Sequence, residues 1–270
     1  MTDAEDSRFW LTAYWGPRRE SPTDLARRFV RTLESLKPIN PVFRTWYFVH
    51  RDEGVALQNL DRQAVAALIA EHVWRADDGD PIPKKGYIFT ALNGDEDKPR
   101  HMTVILHAGN TTSGDYFINT ASLYTEPLSD ENADLFTADI FKPALLAIAS
   151  AWDATWCGVR SSEMNALETP TPSIVLPGPI ILPPRQPTKF RLAWMSYLSP
   201  SFAPLVTPPR SALVTRTAEG ALLMIATEER FSVANSQHMK VARDIEAALA
   251  PVNALPWPPD ALPEGPSGRH

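Results

Sequence analysis

The stretch Tyr14-Trp15-Gly16-Pro17-Arg18-Arg19-Glu20-Ser21-Pro22, followed by a charged helix and then Trp46-Tyr47, decides how this chain is read. Immediately before it, Phe9 to Trp15 alternates loosely, as a half-buried strand does, and stops at Gly16-Pro17. Ser21-Pro22 then opens a helix, with serine at the cap, proline at the first position and Asp24 at the third. Leu25, Phe29, Leu33 and Leu36 recur at spacings of four, four and three, which is one apolar helical stripe. Arg27, Arg28, Arg31 and Glu34 fall largely outside it, and Asp24 is spaced to pair with Arg28 at i,i+4. Pro38 stops the helix, and the aromatic, β-branched run from Phe43 to Val49 predicts a second strand. This segment supplies aromatics, a turn and a helix, but no nucleophile, base or metal-ligand set. A pattern this specific without a catalytic constellation points to a binding protein.

Outward from this segment, Asp61 caps a predicted helix with Val65, Leu68, Ile69 and Val73 inward. Tyr87–Leu92 and Met102–His107 read as two strands of a hairpin, and Tyr116–Ile118 as a third. Asp134 to Asp153 reads as mostly helical, with Pro143 as a later start or a kink, and Trp156–Val159 as a short strand. Phe190–Leu198, Ala212–Thr215 and Ala221–Thr227 are further strands, and Asn235 caps a last helix with Met239, Ala242, Ile245 and Leu249 inward. Hairpins outnumber crossovers, so the expected fold is α+β, with a largely antiparallel or mixed sheet flanked by helices. The proline-dense stretch 168–187 is a loop or linker between an N-terminal part, 1–167, and a C-terminal part, 188–254. Two subdomains therefore stay open, and 255–270 is expected to be a flexible tail.

The chain of 270 residues is 44% hydrophobic, enough for a sizeable core, and its net charge of −6 lacks the basic footprint of a nucleic-acid binder. Cys157 is the single cysteine, so no disulfide forms within the chain. The acidic start Met1-Thr2-Asp3-Ala4-Glu5-Asp6 is unlike a signal peptide, and no run is long enough to span a bilayer. The expectation is a cytoplasmic protein with no membrane association.

The search for chemistry returns little. His50, His72, His101, His107, His238 and His270 are scattered, with no metalloprotease pairing; no G-x-S-x-G, Walker loop or G-x-G-x-x-G occurs. No cofactor, metal or catalytic residue is assigned. Cys157 beside Trp156 reads as a buried, inert thiol. Asp77, Asp78 and Asp80, with Asp95, Glu96 and Asp97, form two acidic loops that are either solvated tips or a docking surface for a basic partner. An enzyme would have to assemble a site from distant residues, with His101, His107 and Asp115 the first suspects.

Several motifs fall in a recognisable order: Tyr14–Ser21, Leu25-Ala26-Arg27-Arg28, Trp46-Tyr47, Ala151-Trp152-Asp153 with Trp156, Trp194-Met195-Ser196-Tyr197-Leu198, and Ala226-Thr227-Glu228 with Phe231, Asn235 and His238. Together they resemble the immunity protein 52 family over about residues 9–250. The resemblance implies a non-enzymatic antitoxin encoded beside a bacterial polymorphic toxin. Its implied partner is a toxin, usually a restriction-endonuclease-type nuclease, often delivered by type VI secretion. It carries no catalytic residues over, and it makes the Trp15-Gly16-Pro17-Arg18 turn a fold determinant rather than an interface. The alternatives are the small enzyme above, or a structural component of a secretion apparatus.

Overall fold

Strand pairing turns the alternation of Phe9–Trp15 into the middle of a sheet. The computed structural model describes residues 7–50, 53–57, 61–93, 102–112, 119–168 and 190–255. Within them run strands β1 (Phe9–Trp15), β2 (Trp46–His50), β3 (Glu53–Ala56), β4 (Tyr87–Asn93), β5 (Met102–Ala108), β6 (Asn119–Thr125), β7 (Trp156–Ser161), β8 (Met195–Leu198), β9 (Leu213–Arg216) and β10 (Leu222–Ile225). The helices are α1 (Pro22–Leu36), α2 (Arg62–Glu71), α3 (Ala138–Trp152), α4 (Ser162–Glu168), α5 (Ser236–Ala248) and α6 (Ala250–Asn253). The strands make one sheet in the order β3-β2-β4-β5-β6-β1-β7-β8-β10-β9, and every pairing between them is antiparallel. The expected α+β fold holds. β7 pairs with β8, so the strands after the proline-dense stretch continue the sheet begun before it.

The sheet has two unlike faces, because successive side chains on a strand point oppositely. On the first face Phe9, Leu11, Ala13 and Trp15 of β1 are no more than 2% exposed. Phe48 and Phe89 on neighbouring strands meet Phe29 of α1 edge-on at 6.5 and 5.3 Å. Phe141 of α3 packs on Phe9 at 6.1 Å. Helices α1, α2 and α3 thus cover this face. On the second face, Trp156 of β7 stacks on Tyr14 at 3.9 Å and receives Phe190 at 4.7 Å. Asn253 of α6 brackets Phe190, accepting from its N–H at 2.6 Å and donating to its carbonyl at 3.1 Å.

Local chemistry explains the helix ends. Ser21 accepts from the Asp24 N–H at 3.1 Å while Asp24 Oδ2 accepts from the Ser21 N–H at 3.3 Å, a reciprocal cap that satisfies two free donors. Asn235 accepts from both Gln237 and His238 N–H groups at the start of α5. All four stripe residues of α1 are buried, as are Met239, Ala242 and Ile245 of α5 and its cap residue Leu249.

Some expectations shift. Helix α3 begins at Ala138 and runs through Pro143; the residues expected to start it, from Asp134, form a separate 3-10 turn, Ala133–Leu135. Only Met195–Leu198 of the expected strand 190–198 joins the ladder, because Leu192 N–H is taken by Glu168 Oε1 at 2.8 Å and Phe190 N–H by Asn253. Strand β6 was not legible as such. Asn119-Thr120-Ala121-Ser122 has weak β preference, and its ladder comes from being held between β1 and β5. Tyr116–Ile118, expected as a strand, lies outside the described residues, as does most of 168–187.

Candidate functional site

The signature turn builds an ionic knot around a nearly buried glutamate. β1 ends at Trp15, and Gly16-Pro17 redirects the chain so that Arg18 and Glu20 fold back under the end of α3. The Glu20 side chain is 4% exposed and sits 2.7 Å from Arg28 Nε and 3.2 Å from Arg18 Nη2. Arg28 Nη1 reaches Asp153 Oδ2 at 2.7 Å and donates to the Ala151 carbonyl at 2.9 Å. Arg18 donates to the Trp152 carbonyl at 3.1 Å and lies 5.4 Å from the centre of the Trp15 ring. Arg28 Nε and the Glu20 oxygens are close but not aligned as donor and acceptor, so this contact is ionic rather than a directed hydrogen bond. Asp153 takes the left-handed conformation, φ 47°, which ends α3 and turns its carboxylate toward the arginines.

The knot corrects one sequence expectation. Asp24 pairs with Arg27 at 3.0 Å, not with Arg28, which turns inward to Glu20 and Asp153. The pull of a nearly buried carboxylate outweighs an exposed helical pair, worth a few tenths of a kcal/mol. The spacing Leu25–Arg28–Thr32 along the stripe's edge was the available signal, since Leu25 and Thr32 are both buried. The Ser21 hydroxyl and N–H bonds hold the Asp24 carboxyl below its usual range. The knot ties the signature turn to the end of α3, where Arg18 and Arg28 both reach Asp153 and the terminal carbonyls of the helix.

The two acidic loops fare differently. Asp77, Asp78 and Asp80 are all exposed, in a turn closed by Ala76 N–H to Asp80 O at 2.8 Å and Gly79 N–H to Ala76 O at 2.9 Å. Gly79 has φ 90°, a conformation that suits glycine. The turn tips a hairpin whose base leads into β4 through the Val73–Tyr87 and Arg75–Pro81 bridges. Asp95, Glu96 and Asp97 lie outside the described residues.

Among the described residues the histidines do not assemble a site. His107 lies on β5 opposite Ile88 and Thr120, and burial lowers its pKa. His101 and Asp115, its suspected partners, lie outside the described residues. His50 Nδ1 and His72 Nε2 are 3.4 Å apart, and burial, then the neighbouring His50, lowers the pKa of His72. Among the described residues no group of three or more His, Cys, Asp or Glu is placed to hold a metal. Cys157 is fully buried and its thiol pKa is pushed well up by desolvation, as an inert core thiol requires. A cleft of about 100 Å³ between α1, α2 and β2, lined by Val30, Leu33, Trp46 and Val65 among others, is smaller than a typical ligand pocket. No helix among the described residues is long and apolar enough to cross a membrane.

No curated protein matches this chain. Among solved structures, the Pseudomonas aeruginosa T6SS protein PA0821 aligns with a TM-score of 0.49 and 10% identity, covering 90% of this chain and 73% of its own. The substrate-free duplicated taurocyamine kinase from Schistosoma mansoni aligns with a TM-score of 0.25 and 10% identity, covering 98% of this chain and 36% of its own. Neither likeness, at this identity and TM-score, bears on what the chain does. The profile of a sequence family, described as immunity protein 52, matches residues 7–255, nearly the full length. This chain belongs to the immunity protein 52 family.

Proposed function

We propose that this immunity protein binds and neutralises one cognate toxin in the bacterial cytoplasm, stoichiometrically and without turnover. The toxin is a nuclease of the restriction-endonuclease type, delivered by a type VI secretion system. The single observation that carries the reading is the family match across residues 7–255. Charge supports the nuclease. A protein that grips phosphate presents a basic surface, and this chain carries a net charge of −6 with an exposed acidic turn at Asp77, Asp78 and Asp80. Asp95, Glu96 and Asp97 share the role of an electrostatic guide that speeds encounter.

The test is co-expression with the toxin-like reading frame adjacent to this gene. The expected result is rescued growth, a co-purified complex of fixed stoichiometry, and loss of DNA cleavage as the immunity protein is titrated in. Rescue with no complex, or by sub-stoichiometric amounts, overturns the reading.

A further inference from the structure

Antiparallel sheets with one wet face normally alternate apolar inward with polar or charged outward. The second face of this sheet carries no charge over four adjacent strands, and Val49, Ile88, Leu92 and Ile105 stand on it among threonines, His107 and Tyr124. Register places Ile88 opposite His107, Thr90 opposite Ile105, Leu92 opposite Thr103, and Thr103 opposite Tyr124, all pointing away from the face that α1, α2 and α3 cover. Val49 of β2 continues this face. These side chains are half-buried, and Tyr124 is 38% exposed. No Asp, Glu, Lys or Arg stands on this face anywhere from β2 through β6 among the described residues. Phe190 and α6 pack on the same side of the sheet, but against Trp156 and Tyr14 beyond β6.

Resting on the antitoxin reading above, we propose that this uncharged face of β2, β4, β5 and β6 is where the toxin docks. It seats an apolar, aromatic-rich surface of the toxin flanked by basic groups. Four strands about 4.8 Å apart and seven residues rising about 3.4 Å each give a footprint of roughly 500 Å². A standard interface takes about 800 Å² per partner, an uncharged centre within a polar rim, so the face supplies the centre. The exposed acidic turn at Asp77, Asp78 and Asp80 heads the hairpin that leads into β4. Charge selects the occupant. A second copy of this chain brings another net −6 and the same acids against it, whereas a basic toxin brings the opposite sign.

The experiment measures affinity for a cleavage-deficient form of the adjacent-gene toxin, using wild type, Ile105→Lys, Tyr124→Lys and Tyr124→Ala. Leu213→Lys, on an exposed position of edge strand β9, serves as a control. Each variant is first checked for an unchanged melting transition. Hydrogen exchange on the wild-type complex gives a reading that needs no variant. The proposal expects a roughly 30-fold or greater loss for the lysine variants, little change for Leu213→Lys, and new protection in β4, β5 and β6. Wild-type affinity in every folded variant, with protection elsewhere, overturns the docking face while leaving the antitoxin role intact. So does a wild-type dimer in sedimentation that Tyr124→Lys turns into monomer. Absence of any wild-type binding overturns the antitoxin role itself.

Discussion

The indoles of Trp15 and Trp152 stack 5.0 Å apart at 18°, joining the last residue of β1 to the last residue of α3. Both are at most 2% exposed. Their contact fixes where the signature turn meets the helix layer, and the ionic knot closes around it. Replacing Trp152 by alanine removes the stack and opens a cavity, and about 3–5 kcal/mol of stability is expected to go with it. Urea unfolding of the purified variant measures this; a change under about 1 kcal/mol shows that the stack does not anchor the turn.

Glu20 is the pivot of the ion pairs. Removing its charge with Glu20→Gln leaves Arg18 and Arg28 only the exposed Asp153 carboxylate, and about 2 kcal/mol is the expected cost. Replacing Arg28 by methionine should cost a comparable amount. The double variant should lose less than the two single losses added together, since each single change already removes the same Glu20–Arg28 contact. Strict additivity in a double-mutant cycle refutes the coupling.

Gly86 precedes β4 with φ 78°, and a Cβ there would stand 2.3 Å from the Ala108 carbonyl oxygen. That neighbour is backbone in β5 and cannot turn aside. Gly86→Ala combines left-handed strain with a clash and is expected to cost about 3 kcal/mol or more, or to leave the chain insoluble. Gly79, with φ 90° and nothing near its missing Cβ, should lose only the conformational part, about 1 kcal/mol, as Gly79→Ala. Melting temperatures of the two variants side by side give the comparison.

Acid should weaken the fold through its histidines. Burial depresses His107, and burial with the nearby His50 depresses His72. Unfolded histidine titrates near 6.5, so just below that pH the unfolded chain binds more protons than the folded one. Stability is therefore complete above about pH 6.5 and declines as pH falls from there through the lower folded pKa values. Urea midpoints between pH 7.5 and 5 should fall, and His107→Gln should flatten part of the slope. An unchanged slope in that variant removes His107 from the effect.

Charge reversal of Asp77, Asp78, Asp80, Asp95, Glu96 and Asp97 should slow toxin association about tenfold at low salt and leave dissociation nearly unchanged, because rim charges steer encounter. Stopped-flow mixing at two ionic strengths reads this directly. Equal association rates at low salt exclude these residues from the encounter.

Much of this molecule was written locally. The caps at Ser21 and Asn235, the inward stripes of α1 and α5, and the β4–β5 hairpin follow from short-range spacing and from which residues satisfy free backbone groups, and they stand where the sequence put them. Family membership was also legible, because its motifs are strung along the chain in order. The partner of Arg28 was not, because local spacing offered Asp24, while the fold brings in Asp153 from 125 positions away. Nor was β6, whose small polar residues become a strand only between two neighbours.

The uncharged face shows the same limit. Alternation in Met102–Ala108 and Tyr87–Asn93 is blurred because Ile88, Leu92 and Ile105 stand in the phase the helices do not cover. Periodicity fixes which residues share a side. Tertiary packing decides which side meets water, since burial depends on what other parts of the chain arrive to cover it.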